Sequence, residues 1–169
     1  MTDMDSGQAY SAVSSMIWRE RELLDLLLFK LTEERLILAS GQARWLAHAN
    51  REVETILAEL RDVEVLRAVE VDHLAEVLKL GAEPSLTAII ETSAEPWKSL
   101  FHDHRESLIA LVEEVRGLTS DNQQLLTTGA QAVRETLLAL RQEVSTYDST
   151  GTARGAHGTR RSIMVDEQA

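Results

Sequence analysis

The sequence predicts an all-α protein: an elongated antiparallel helical bundle or coiled coil of three long helices plus a short connector helix. Three observations carry that prediction. Apolar residues are 44% of the 169-residue chain, and they recur at three-, four- and seven-residue steps, the period of helices with one dry face. Aromatics are only 4% and prolines number 2, a poor supply for the short, turn-bounded strands of a sandwich or barrel. The pattern breaks at few places, chiefly Ser40-Gly41 and the stretch from Gly81 to Pro96, which divide the chain into three long segments.

Residues 1–10 hold Thr, Asp, Ser, Gly and Gln with little to bury, and they read as a disordered N-terminus. The helical domain is expected over residues 11–147. Its first segment carries Val13, Met16, Ile17, Leu24, Leu27, Leu31 and Leu38, and the row Leu24, Leu31, Leu38, Trp45 is spaced at seven. Glycine costs a helix about 1 kcal/mol relative to alanine, so Ser40-Gly41 marks either a hairpin or a bend. The second segment runs from about Gln42 to Leu80. Leu46, Ala49, Val53, Ile56, Leu60 and Val63 alternate three and four, the seam of a left-handed helix pair. Arg67 and Glu70 then fall on the seam. Either this polar step sets the register, or the apolar stripe passes to Leu66 and Val69. Gly81 suits the left-handed residue that closes a helix.

Residues 81–96 form a connector. Glu83 is expected to be extended before Pro84, Pro84 suits the first turn of a short helix over Ser85 to about Thr92, and Pro96 opens the next helix. The third long segment reaches from about Pro96 to Thr146. Its first half shows Trp97, Phe101, His104, Leu108, Leu111, Val115 and Leu118. Its second half shows Leu126, Ala130, Val133, Leu137, Leu140, Val144 and Tyr147. At about 1.5 Å per residue such a helix spans roughly 75 Å, more than the two earlier helices can cover. The second half is therefore expected to project from the body or to be marginally ordered. Residues 148–169 are rich in Gly, Ser, Thr and Arg and read as a flexible tail.

Composition excludes several functions. The net charge is −11, whereas binding a nucleic-acid backbone needs a dense positive face. Cysteine is absent, so disulfides, Cys-ligated zinc and thiol nucleophiles are excluded. No uninterrupted apolar run of about 18 residues exists, so no membrane insertion is expected. The acidic N-terminus lacks the basic start of a secretory signal, so a cytoplasmic location is expected. No phosphate-cradling loop, nucleophile elbow or His-Glu-x-x-His pair appears, and no enzyme, cofactor or metal is expected. His102 and His104 are two apart and point to different faces of a helix. Glu70-Val71-Asp72-His73 supplies one Glu-x-x-His motif, but a bundle carboxylate site needs two. His104 is expected as a hydrogen-bonded member of the third helix's seam, and Trp18, Trp45 and Trp97 as packing anchors.

The stripe from Leu126 to Tyr147 is either a further core seam or a face awaiting another amphipathic helix. Mass balance favours the second, because an uncovered apolar stripe marks a partner site.

Several stretches resemble the FlgN family of flagellar export chaperones. Trp18-Arg19-Glu20-Arg21-Glu22-Leu23-Leu24 with the following LLLFKLTEERLIL is similar to its first helix. RWLAHANREVETILAELR (44–61) and LRAVEVDHLAEVLKL (66–80) resemble its second. PWKSLFHDHRESLIALVEEV, then Asn122-Gln123-Gln124-Leu125-Leu126 and Tyr147, resemble its third. The resemblance covers about residues 14–150. It implies a cytoplasmic chaperone that binds the C-terminal helices of hook–filament junction (hook-associated) proteins and delivers them to the flagellar type III export apparatus. It implies cargo contacts at Asn122, Leu125, Leu126, Val133, Leu137 and Leu140, and docking at the export gate through Tyr147. The sequence leaves a monomer or a weak homodimer open. The competing reading is a structural coiled-coil scaffold that self-associates through the 126–147 stripe. A ferritin-like metal enzyme is a more distant alternative.

Overall fold

The computed structural model describes residues 2–155, with side chains described for residues 6–141. The described residues are nearly all helical: α1 (Thr2–Ala39), α2 (Leu46–Leu78), α3 (Leu86–Thr92) and α4 (Trp97–Gly155). A 3-10 turn over Ala43–Trp45 leads into α2. The chain divides into two compact units, residues 1–126 and 127–169.

In the first unit α1 and α2 form an antiparallel hairpin. Glu20 meets Arg67 and Lys30 meets Glu52, so partners descend along α2 as they ascend along α1. The first part of α4 runs parallel to α1: Ser14 meets His104, and Arg35 meets Asp121. Two apolar layers hold the three helices. Ala9, Tyr10, Val13 and Ile17 pack with Leu74, Ile89, Ile90 and Phe101 at the base. Leu23, Leu27 and Leu31 pack with Ile56, Leu60 and Val63 further along, backed by Val115 and Leu118. Burying such side chains contributes about 1.5–3 kcal/mol each.

Between these layers lies a polar one. Arg67 binds the Glu20 carboxylate at 2.9 Å, while Leu66 and Val69 are exposed. The seam thus continues through Arg67, and the apolar stripe does not pass to its neighbours. Burial raises the Glu20 carboxyl above its ordinary range, with Arg67 pulling it partly back.

The helix ends follow backbone chemistry. At the end of α1, Gln42 N–H donates to Ile37 O and Gly41 N–H to Leu38 O, with Gly41 left-handed at φ 69°. This is the Schellman closure, and Ser40-Gly41 is therefore a hairpin turn. The end of α2 repeats it, with Leu80 N–H on Ala75 O and Lys79 N–H on Glu76 O. The left-handed residue there is Lys79 (φ 56°), not Gly81 as the sequence suggested. Glu83 also has positive φ, 51°, rather than the extended backbone expected before proline. Ser85 caps α3, its hydroxyl accepting from Ala88 N–H at 3.1 Å, so Pro84 lies just outside that helix.

Two boundary expectations are corrected. Residues 2–10 are helical, not disordered. Tyr10 stacks on Trp97 at 5.2 Å and lies 5.9 Å from Phe101, and Ala9 is 1% exposed. Partners almost ninety residues away hold a segment whose own composition gives no such signal. At the other end, α4 continues through Gly155, so the tail expected from 148 begins as helix. No proline interrupts it, and glycine weakens a helix without forbidding it. Residues 156–169 lie outside the described residues.

Candidate functional site

The apolar face of α4 has two fates. In the first unit Phe101 and His104 are fully buried, and Val115 and Leu118 pack on the middle layer. His104 occupies the seam position expected of it. Its Nδ1 accepts from the Arg21 guanidinium at 3.3 Å. Arginine cannot accept a hydrogen bond, so the ring proton sits on Nε2 and is donated to Ser14 Oγ at 3.0 Å. Burial first, then the Arg21 charge, holds the imidazole below its ordinary value, with Asp103 opposing. Trp18 sits edge-on to this ring at 5.0 Å with Arg21 over its face at 4.3 Å.

Asn122 closes this buried stretch. It is 3% exposed, and its Nδ2 donates to Leu31 O and to Glu34 Oε2, both at 2.9 Å. The residue expected as a cargo contact is thus a buried tie between α4 and the end of α1. Leu125 and Leu126, also expected as contacts, are exposed. Leu126 borders a hollow of about 300 Å³ that Leu31, Val53 and Asn122 also line.

In the second unit every described side chain, residues 127–141, is exposed. Val133, Leu137 and Leu140 are 61%, 58% and 51% exposed. Other exposed apolar side chains exist, including Phe29, Leu36 and Val65. Those lie on helices whose opposite face is packed. The 127–141 segment is amphipathic in sequence yet has no packed face among its described side chains. The structure also brings Leu138, Arg134 and Arg141 beside the stripe, where they line one shallow hollow with Leu137 and Leu140. The sequence reading missed these three. The signal was present for the arginines, which follow Val133 and Leu140 directly and are spaced at seven. The side chain of Tyr147 lies outside the described residues, although its backbone is part of α4.

The tryptophan expectation fails in part. Trp97 packs on the base layer, but Trp18 and Trp45 are about half exposed, because a partner on one face of an indole suffices to place it. Among the described residues no group of three or more His, Asp or Glu side chains is arranged to hold a metal ion. No helix among them is long and apolar enough to cross a membrane.

These features define an all-α bundle protein whose last helix carries an amphipathic stretch without a packing partner. A family model described as FlgN protein matches residues 4–155. No curated protein and no solved structure matches the chain. The match spans all four helices, and the chain belongs to the FlgN family, a family of flagellar export chaperones rather than of enzymes.

Proposed function

We propose that this protein is a cytoplasmic export chaperone that captures the C-terminal helices of hook–filament junction (hook-associated) proteins and hands them to the flagellar type III export apparatus. The observation that carries this reading is the exposed row Val133, Leu137 and Leu140 in a family member. A cargo helix would lay its apolar face on that row. Each apolar side chain buried contributes about 1.5–3 kcal/mol before ordering costs. Leu125 and Leu126 are further candidate contacts, and Tyr147 is the candidate export-gate residue. Asn122 is left out of the contact surface, since both its amide protons already serve the bundle.

The test is the double substitution Leu137→Asp and Leu140→Asp. Capture of hook–filament junction proteins from the same genome should fail while the helical circular-dichroism signal survives. Unchanged capture rejects the stripe as the site. Sedimentation of the chain alone addresses the scaffold alternative: a stable oligomer abolished by the same two substitutions would favour self-association.

A further inference from the structure

Two arginines border the exposed row, and they specify what covers it. Val133, Leu137 and Leu140 step by four and three, so they take the core positions of a two-helix seam. Arg134 and Arg141 then take the adjoining position, where interhelical ion pairs select partner and orientation. They stand two turns apart on one edge of the helix, and both line the same hollow as Leu137, Leu138 and Leu140. The opposite edge carries Ala132, Thr136 and Ala139, with Glu143 one step further on.

Neither arginine has an ion-pair partner among the described residues. The sequence explains why: residues three and four away from Arg134 are Ala130, Gln131, Leu137 and Leu138, and those around Arg141 are Leu137, Leu138, Val144 and Ser145. No carboxylate lies three or four residues from either arginine along the helix. Glu135 is held instead by Gln131, whose Nε2 donates to it at 3.1 Å. In the first unit Arg19, Arg35, Arg67, Arg105 and Arg116 each have a carboxylate within 3.5 Å, while Arg21, Arg44, Arg51 and Arg61 have none among the described residues. The charge of the chain is partitioned in the same sense. Residues 127–169 contain five acids and five bases, so the whole net charge of −11 belongs to residues 1–126.

We infer that the occupant of the stripe is a partner helix whose apolar face is bordered by carboxylates two turns apart, on the edge that meets Arg134 and Arg141. This rests on the docking reading above and adds the partner's charge pattern to it. The sign is informative, because the average charge of the chain would favour a basic partner. At physiological salt the Debye length is about 8 Å, so ion pairs at contact distance are screened less than longer-range repulsion from the net charge of the chain.

The experiment uses the full-length chain and two synthetic amphipathic peptides with one leucine stripe, bordered by glutamates in one and lysines in the other. The glutamate peptide should bind about three- to tenfold more tightly, the range of two exposed ion pairs. Arg134→Gln with Arg141→Gln should erase the preference, and Arg134→Glu with Arg141→Glu should reverse it. The preference should also shrink at about 1 M salt, where screening reaches about 3 Å. Equal binding of both peptides, or a lysine preference, overturns the charge inference and leaves the docking reading standing. Binding of neither overturns both. Self-association of the chain alone that is lost in the two-glutamate variant overturns the inference by making a second copy the occupant.

Discussion

His104 shows how one residue ties folding to pH. Its ring is neutral in the fold because Arg21 donates to Nδ1, leaving the one ring proton on Nε2, from which Ser14 Oγ accepts a hydrogen bond. An unfolded histidine takes up a proton near pH 6.5, whereas burial and Arg21 push the folded value lower. Between those two values the unfolded chain binds more protons. Stability is therefore full above about pH 6.5 and declines as pH falls toward the folded value. Glu20 acts with opposite sign. Its folded value is raised, so between the unfolded value near 4.5 and the folded one stability declines as pH rises. His104→Gln should be less stable at pH 7.5 and should flatten the acid-side decline of the thermal midpoint that the parent shows near pH 6. An unchanged slope in the variant would assign that decline elsewhere. The seam position of His104 was legible from its place between Phe101 and Leu108. Its neutrality was not, since Ser14 and Arg21 come from a helix some ninety residues earlier.

The elements themselves were legible where a period of three and four ran unbroken, and their ends were legible only in part. Gly41 and Lys79 close α1 and α2 with the same hydrogen-bond pattern. Only the first is a glycine, and a search for glycines finds Gly81 instead. A non-glycine residue in this conformation costs about 1 kcal/mol. No neighbouring atom lies within 4 Å of a Cβ added at Gly41, so Gly41→Ala should lose roughly that amount from backbone strain alone. Lys79→Gly should gain a similar amount, about 0.5–1 kcal/mol. Chemical denaturation of both variants checks the pair, and a destabilised Lys79→Gly would mean that the lysine side chain earns its place by contacts. The start of α1 was illegible for a different reason: Tyr10 is fixed by Trp97 and Phe101, and no local pattern announces a partner so distant in sequence.

At the scale of the molecule, both apolar layers draw, among the described residues, only on residues up to Leu118. A chain ending at Leu126 should thus keep its cooperative unfolding transition, within about 1 kcal/mol of the parent, because it retains both apolar layers. It should lose partner capture. A collapsed transition would show that residues 127–169 support the bundle. The unpaired stripe was readable from sequence as a surplus of apolar helix, because the first two helices are too short to cover the third. Which residue ends the covered stretch was not readable, and Asn122 was accordingly placed among the contacts rather than in the core. The three indoles give the division a practical consequence. Trp18, Trp45 and Trp97 all belong to residues 1–126, and none lies in residues 127–169. Tryptophan fluorescence of this protein is therefore a gauge of its bundle, and the segment around Leu137 carries no indole of its own. A reporter indole at position 138 would register the capture itself.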